Sequence, residues 1–273
     1  MSVEAVRVSP SWLDLREAAD AAARALDLVD ELRRRVPAGR PWSIHDLGCG
    51  GGAMGRWLAP LLPGPQHWVL HDRDADLLEA ASAALPGPAA DGSEVVVETR
   101  LSDVTQLLPD DLAGATLVTA SALLDLLTPD ELERLIDACA GAGCPVLLAL
   151  SVSGRVQLLP GDPLDARVGA AFNAHQRRVT PHGPLLGPDA VTAAAEGFRR
   201  LGAEVVVRPS PWRLGAKEGE LAVAWLTGWI DAACEQEPGL GIEAAPYRRR
   251  RLGEAAAGAL AVTVGHADLL VLP

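Results

Sequence analysis

The stretch SIHDLGCGGGAMGRWLAP, residues 43–60, decides the fold. A short apolar run ends in Asp46, and five of the eight residues from Gly48 to Gly55 are glycine. The helical pattern AMGRWLAPLL follows at once. A strand that passes through bare backbone into a helix is not a linker. Such a turn uses glycine where φ must be positive and where a ligand presses on the backbone with no Cβ between them. No Gly-Lys-Ser/Thr follows, which excludes the Walker phosphate loop. A dinucleotide fold and a related nucleoside site both remain.

Working outward from the turn, strands alternate with helices. PWSIHDL, QHWVLHD, EVVVETR, ATLVTAS and CPVLLALS read as five strands, with AMGRWLAPLL, ADLLEAASAAL and TPDELERLIDACAGA as intervening helices, the last capped by Thr128 with Pro129 at its first position. This predicts right-handed βαβ units and a doubly wound, mostly parallel α/β sheet with helices on both faces. Before it, SWLDLREAADAAARALDLVDELRRRV predicts one long amphipathic helix that stops at Pro37–Gly39. After it, residues 154–188 are rich in proline and glycine and read as a loop-rich insertion, the expected site of a lid. A helix, a sixth strand (AEVVVRPSPW), two more helices and a last strand (HADLLVLP) returning antiparallel complete a seven-stranded sheet. The expectation is a single domain over 1–273: an N-terminal helical cap (1–40), a cofactor-binding half (41–153) and a substrate-side half with the insertion (154–273).

The dinucleotide fingerprint can be laid on Gly50, Gly52 and Gly55, but Asp46 stands just before the glycines, where a pyrophosphate wants no carboxylate. Asp46 suits a positively charged ligand group instead. At this point the chain resembles the class I S-adenosylmethionine-dependent methyltransferases. IHDLGCGGG is similar to their first motif, which implies that Gly48, Cys49, Gly50 and Gly52 pass under the cofactor's aminoacid arm with Asp46 near its ammonium. WVLHDRDADLLEAA resembles the second, with Asp72 implied on the ribose hydroxyls and Arg73 beside the adenine. ETRLSDVTQL resembles the third, placing Asp103 at the adenine amino group and Val104 against the ring. TLVTASALLDLLTPDEL resembles the fourth, putting Ser121 to Asp125 next to the reacting methyl. The resemblance covers roughly residues 10–150, each motif falling at the C-terminal end of a predicted strand, where open α/β sheets bind ligands. In that family an element before the first strand folds over the cofactor, which makes Arg16 a candidate for the cofactor's carboxylate.

Composition limits the acceptor. The formal net charge is -12, which disfavours nucleic acid. The arginine runs 33–35 and 248–251 lack an aromatic ladder and read as solvated or salt-bridged helix faces. Lys217 is the only lysine, so no lysine-based catalytic set can be built. The Asn/Asp-Pro-Pro-aromatic signature of base methylation is replaced by TASALL. No membrane-spanning run or signal peptide is evident, and the chain reads as cytoplasmic. Cys49, Cys139, Cys144 and Cys234 show no paired spacing, so no metal or disulfide framework is expected.

The expected function is methyl transfer to the oxygen or nitrogen of a small molecule, a specialised metabolite. Its rivals are a cofactor-binding protein that transfers no methyl group and a nicotinamide-dependent oxidoreductase. His175, in FNAHQRR, and Asp125 are the candidate general bases. His182, Trp212 and Arg213 are secondary pocket candidates. Trp225 and Trp229, four apart on a helix, read as core or as a subunit interface, which leaves a homodimer open. His45, His67 and His71 lie on strands and read as structural.

Overall fold

The computed structural model describes residues 8–35, 40–85 and 87–273; the expected helix stop at 37–39 lies outside them. The N-terminal pattern folds as two helices rather than one, α1 (Pro10–Ala23) and α2 (Leu26–Arg35). They part at Arg24, whose backbone is extended (φ -56, ψ 139), and at Ala25, whose N–H donates to Asp268 Oδ2 at 2.8 Å. Helical periodicity runs straight through both residues. A tertiary hydrogen bond to a buried carboxylate outweighs it.

The next half alternates as the sequence implies: β1 (Trp42–Leu47), α3 (Ala53–Leu58), β2 (Gln66–Asp72), α4 (Ala75–Ala84), β3 (Val95–Leu101), β4 (Leu117–Ser121), α5 (Pro129–Ala142) and β5 (Val146–Leu159). Thr128 caps α5 in a reciprocal box with Glu131. The rest comprises α6 (Asp165–Gln176), a small hairpin of β6 (Val179–Thr180) and β7 (Gly183–Pro184), α7 (Ala190–Arg200), β8 (Glu204–Pro209), β9 (Trp212–Leu214), α8 (Gly219–Gln236), α9 (Gly241–Ala256) and β10 (Ala261–Leu272). The sheet order is β3-β2-β1-β4-β5-β10-β8, with β9 also on β10. Strands β1 to β5 pair in parallel and β10 is antiparallel to both neighbours. The predicted sixth strand is therefore split, β8 and β9 sharing one edge.

Each face of the sheet has its own core. Leu28, Leu32, Ile44, Trp68 and Leu78 pack on one side, and Leu47, Val118, Leu135, Ile136 and Phe198 on the other. Full burial of such a side chain contributes about 1.5–3 kcal/mol. The polar group in the first core is satisfied: Trp68 Nε1 donates to Gln66 Oε1, and Gln66 Nε2 donates to the carbonyls of Ala59 and Leu62. On the second face His45 and His71 stack with nitrogens 3.0 Å apart, buried and structural.

Residues 154–188 are more regular than their composition implies. β5 runs through Gly154 to Leu159, and α6 follows with Gly169 inside it. At Gly154 (φ +70) a Cβ would lie 2.8 Å from Pro188 Cβ. The long strands β5 and β10 carry a third core, where Leu158, Val168, Trp225, Trp229, Ile230 and Tyr247 join α6, α8 and α9. Trp225 and Trp229 stack there at 5.2 Å, as core residues.

Most of the two arginine runs is paired with carboxylates. Arg34 and Arg35 pair with Glu31, Arg248 with Asp231 and Arg250 with Asp162. Arg251 is 1% exposed and grips Asp165 (Nη2–Oδ2 2.5 Å) and Glu254, while Tyr247 donates to the same Asp165. Removing Asp165 takes from the buried guanidinium both oxygens of its main carboxylate partner and leaves Glu254 alone to answer the charge. Asp165→Ala is therefore expected to lower stability by about 3–5 kcal/mol in urea unfolding, and Arg251→Met added to it to recover most of that loss. A double variant no better than the single would contradict the pairing.

Candidate functional site

The C-terminal ends of β1, β2 and β4 meet at the glycine turn. Gly48, Gly50 and Gly52 all have positive φ, at +64, +53 and +82. A Cβ at Gly48 would come within 3.3 Å of Leu123, and one at Gly50 within 3.3 Å of Leu13 of α1. The turn is thus covered by α1 and by the segment after β4. α1 is fastened there by Arg56, which donates to both oxygens of Glu17 and to the carbonyl of Gly51. Cys49 is buried at the middle of the turn, its N–H donating to the His71 carbonyl and its thiol pushed up by burial.

Asp46, the penultimate residue of β1, is 1% exposed. Its Oδ1 accepts from Thr119 Oγ1 at 2.7 Å, whereas its Oδ2 is buried without a partner. Burial raises its pKa to about 7, against the hydrogen bond from Thr119 and the positive charge of Arg24, which lower it. A buried carboxylate oxygen left unpaired costs free energy unless a donor or cation meets it.

Arg24 is the residue the sequence reading missed. At 4% exposure, it lies over the Trp57 ring (5.2 Å). Its Nη2 donates to Ser121 Oγ (3.2 Å) and its Nη1 to the Ala53 carbonyl (3.4 Å), and its Nε is buried with no partner. Burial lowers its pKa, opposed by Asp20, Asp268 and Asp46. Arg16, the expected candidate for the cofactor's carboxylate, donates to Asp20 (2.8 Å) and covers Trp212 at 5.2 Å. A signal existed: Arg16, Asp20 and Arg24 stand four apart, which puts three charges on one helical face.

Asp72 closes β2 with both oxygens engaged from the backbone, Gly50 N–H donating to Oδ2 at 2.8 Å and Asp74 N–H to Oδ1 at 3.0 Å. Each oxygen keeps acceptor capacity in a fixed orientation. Arg73 beside it is exposed. Asp103 is exposed and caps a short turn, accepting from Thr105 N–H and Oγ1. Val104 is buried among the core residues of that face.

Asp125 follows β4. Burial raises its pKa to about 6, with the charges of Arg16 and Arg178 opposing. Arg16 also bears on His266, a buried histidine of β10 whose ring is tilted against that of Trp212 (centroids 5.1 Å apart) and whose pKa is lowered to about 4, chiefly by burial. Trp212 Nε1 in turn donates to Asp20 at 2.9 Å. Arg16, Asp20, Trp212 and His266 therefore share one neighbourhood, and Asp125 lies within the influence of the charges of Arg16 and Arg178. His175 is not brought into it: on α6 it turns toward α8, with Nε2 3.3 Å from Glu235 Oε2. His182 and Arg213 are exposed. Among the described residues no cluster of histidine, cysteine or carboxylates could hold a metal ion, and no helix is long and apolar enough to cross a membrane.

A carboxylate whose pKa is raised on folding contributes stability that is present below its unfolded pKa and lost as pH rises through the folded one. For Asp46 that window runs from about 3.8 to about 7. Asp46→Asn is expected to raise the thermal midpoint of the free protein at pH 8 and to gain little at pH 4. An equal shift at both pH values would mean that the charge is not the cause.

No protein-family model and no curated protein matches the chain. Among solved structures it is similar to a SAM-dependent methyltransferase from Methanosarcina mazei (12% identity, 88% of this chain and 95% of that one, TM-score 0.48). It is also similar to the cyclopropane synthase MmaA2 from Mycobacterium tuberculosis (14%, 96% and 94%, TM-score 0.47). A third is a SAM-dependent methyltransferase from Thiobacillus denitrificans in complex with S-adenosyl-L-homocysteine (14%, 98% and 99%, TM-score 0.46). Likeness this distant bears on no residue or activity of this chain. By its own sheet order, its antiparallel β10 and its glycine turn after β1, the chain has the fold of the class I S-adenosylmethionine-dependent methyltransferases.

Proposed function

We propose that the chain binds S-adenosylmethionine and transfers its methyl group to the oxygen or nitrogen of a small molecule, a specialised metabolite. One observation carries the reading. Two buried, oppositely charged side chains flank the left-handed glycine turn, each with an atom lacking a partner: Asp46 Oδ2 and Arg24 Nε. An ammonium and a carboxylate on one ligand satisfy both, which is the chemistry of an aminoacid group. Neither a pyrophosphate nor a bare apolar ligand does so.

In this reading Asp46 holds the ammonium and Arg24 the carboxylate. The bare backbone at Gly48, Gly50 and Gly52 admits the arm, and Asp72 receives the ribose hydroxyls. Asp103 and Val104 are assigned to the adenine, and Arg73 to its edge. When bound, the cofactor supplies an electrophilic methyl on a sulfonium. The chain's own tasks are to align the acceptor, keep water out and remove a proton where the acceptor carries one. Leu13, Leu123 and the Glu17–Arg56 pair cover the turn against water. Asp125, with its pKa near neutrality, is better supported as proton acceptor than His175, which faces Glu235.

Charge-assisted hydrogen bonds contribute about 1.5–3 kcal/mol each, or roughly 10–150-fold in affinity. Arg24→Gln and Asp72→Ala are accordingly expected to weaken S-adenosylhomocysteine binding by at least tenfold in calorimetry. Affinity that is unchanged in both variants would remove them from the site. Incubation of the wild-type chain with S-adenosylmethionine and a metabolite extract is expected to yield a product heavier by one methylene in mass spectrometry. A cofactor that binds while no extract is methylated would favour the non-methylating alternative.

A further inference from the structure

Three irregularities of the backbone converge on one buried side chain. The long helix expected at the N-terminus is broken at Arg24 and Ala25. The β10–β5 ladder shifts register between Ala267 and Leu269. Leu150 of β5 has φ +56, a left-handed value rare for a bulky residue and costing about 1–3 kcal/mol. Asp268, 1% exposed, is the common partner. Its Oδ2 accepts from Ala25 N–H at 2.8 Å, and its Oδ1 accepts from Leu150 N–H at 2.8 Å and from Ser210 Oγ at 2.5 Å.

Strain of this kind persists only where the surroundings hold it in place, and it gathers at sites where a geometry is needed. Here the strained segments meet at Asp268, whose Oδ2 is bonded to the residue that follows Arg24. The bond to Ala25 N–H falls two residues beyond the end of α1, with Arg24 between them as its C-cap and its side chain on Ser121 and the Ala53 carbonyl. The same carboxylate places a negative charge near the Arg24 guanidinium, which would otherwise be strongly disfavoured at 4% exposure.

We infer that Asp268 is the positioning residue for Arg24: through its bond to Ala25 N–H it sets the break that delivers the guanidinium to the aminoacid end of the ligand. Asp268 itself touches no ligand, and its effect passes through Arg24. The inference rests on the reading of the site as one for S-adenosylmethionine.

The test is a double-mutant cycle on S-adenosylhomocysteine affinity, measured by calorimetry on the full chain, with urea unfolding of every variant. Asp268→Asn keeps the shape of the side chain but removes the charge and sets an amide against either Ala25 or its other donors. It is expected to weaken binding about tenfold in the wild-type background and less than about twofold in the Arg24→Gln background, because residues acting as one unit are not additive. Ser210→Ala removes a bond to the same carboxylate while leaving the charge and the Ala25 contact. It is expected to lower stability and to leave affinity within about twofold. Equal losses from Asp268→Asn in both backgrounds, or affinity falling in step with stability in Ser210→Ala, would overturn the inference and make Asp268 a folding residue only. If Asp268→Asn does not fold, the same cycle with Asp268→Glu decides by the same criterion. Wild-type protein that binds no sulfur nucleoside at all would fail the parent reading instead, a result visible before any variant is made.

Discussion

A charge can be buried only beside charges or dipoles that answer it. At the C-terminal edge of this sheet that constraint governs the structure. Arg24 is taken out of water among Asp20, Asp46 and Asp268, and Asp46 is taken out of water beside Thr119 and Arg24. Every carboxylate in the group is tied to a different element: Asp20 to α1, Asp46 to β1 and Asp268 to β10. The cluster therefore joins the N-terminal helices to the centre and far side of the sheet. It does so incompletely, since Asp46 Oδ2 and Arg24 Nε find no partner within the chain. Other buried polar atoms also lack a partner, Ser151 Oγ and Trp229 Nε1 among them, but Asp46 Oδ2 and Arg24 Nε belong to charged groups of opposite sign that flank one glycine turn.

The arrangement ties stability to function in opposite senses. A buried carboxylate pushed up to about 7 opposes folding where it is charged, and it is charged in the range where it would meet an ammonium. Similarly, the left-handed Leu150 and the shifted register of β10 cost free energy that regular pairing would have avoided. The third core, with its stacked tryptophans and the buried Arg251–Asp165 pair, lies on the extension of β5 and β10 and steadies the strands that carry these costs.

Much of this was legible in the sequence, and the remainder was hidden for definite reasons. Asp46, the left-handed glycines and Asp72 follow from local rules: a strand end, a turn that forbids Cβ and the next strand end. Arg24 escaped because α1 and α2 together keep an unbroken helical period. Only a contact 243 residues away in sequence, from Asp268, shows where that helix must stop. Asp268 and His266 escaped because HADLLVLP reads only as a last antiparallel strand, and a strand pattern alone does not say that its polar residues are buried. His175 was singled out for its chemistry, yet an imidazole says nothing about which face of its helix meets the site. Residues 154–188 read as a loop because proline and glycine were counted without regard to where they sit, which is within or next to β5, α6 and the β6–β7 hairpin.

The central claim is that the glycine turn, with Asp46 and Arg24 on either side, receives the aminoacid end of a sulfur nucleoside. It is tested most directly by titrating the wild-type chain in parallel with S-adenosylhomocysteine and NAD at pH 8. The account predicts saturable one-to-one binding of S-adenosylhomocysteine and none of NAD. Binding of NAD, or silence toward both, would contradict it.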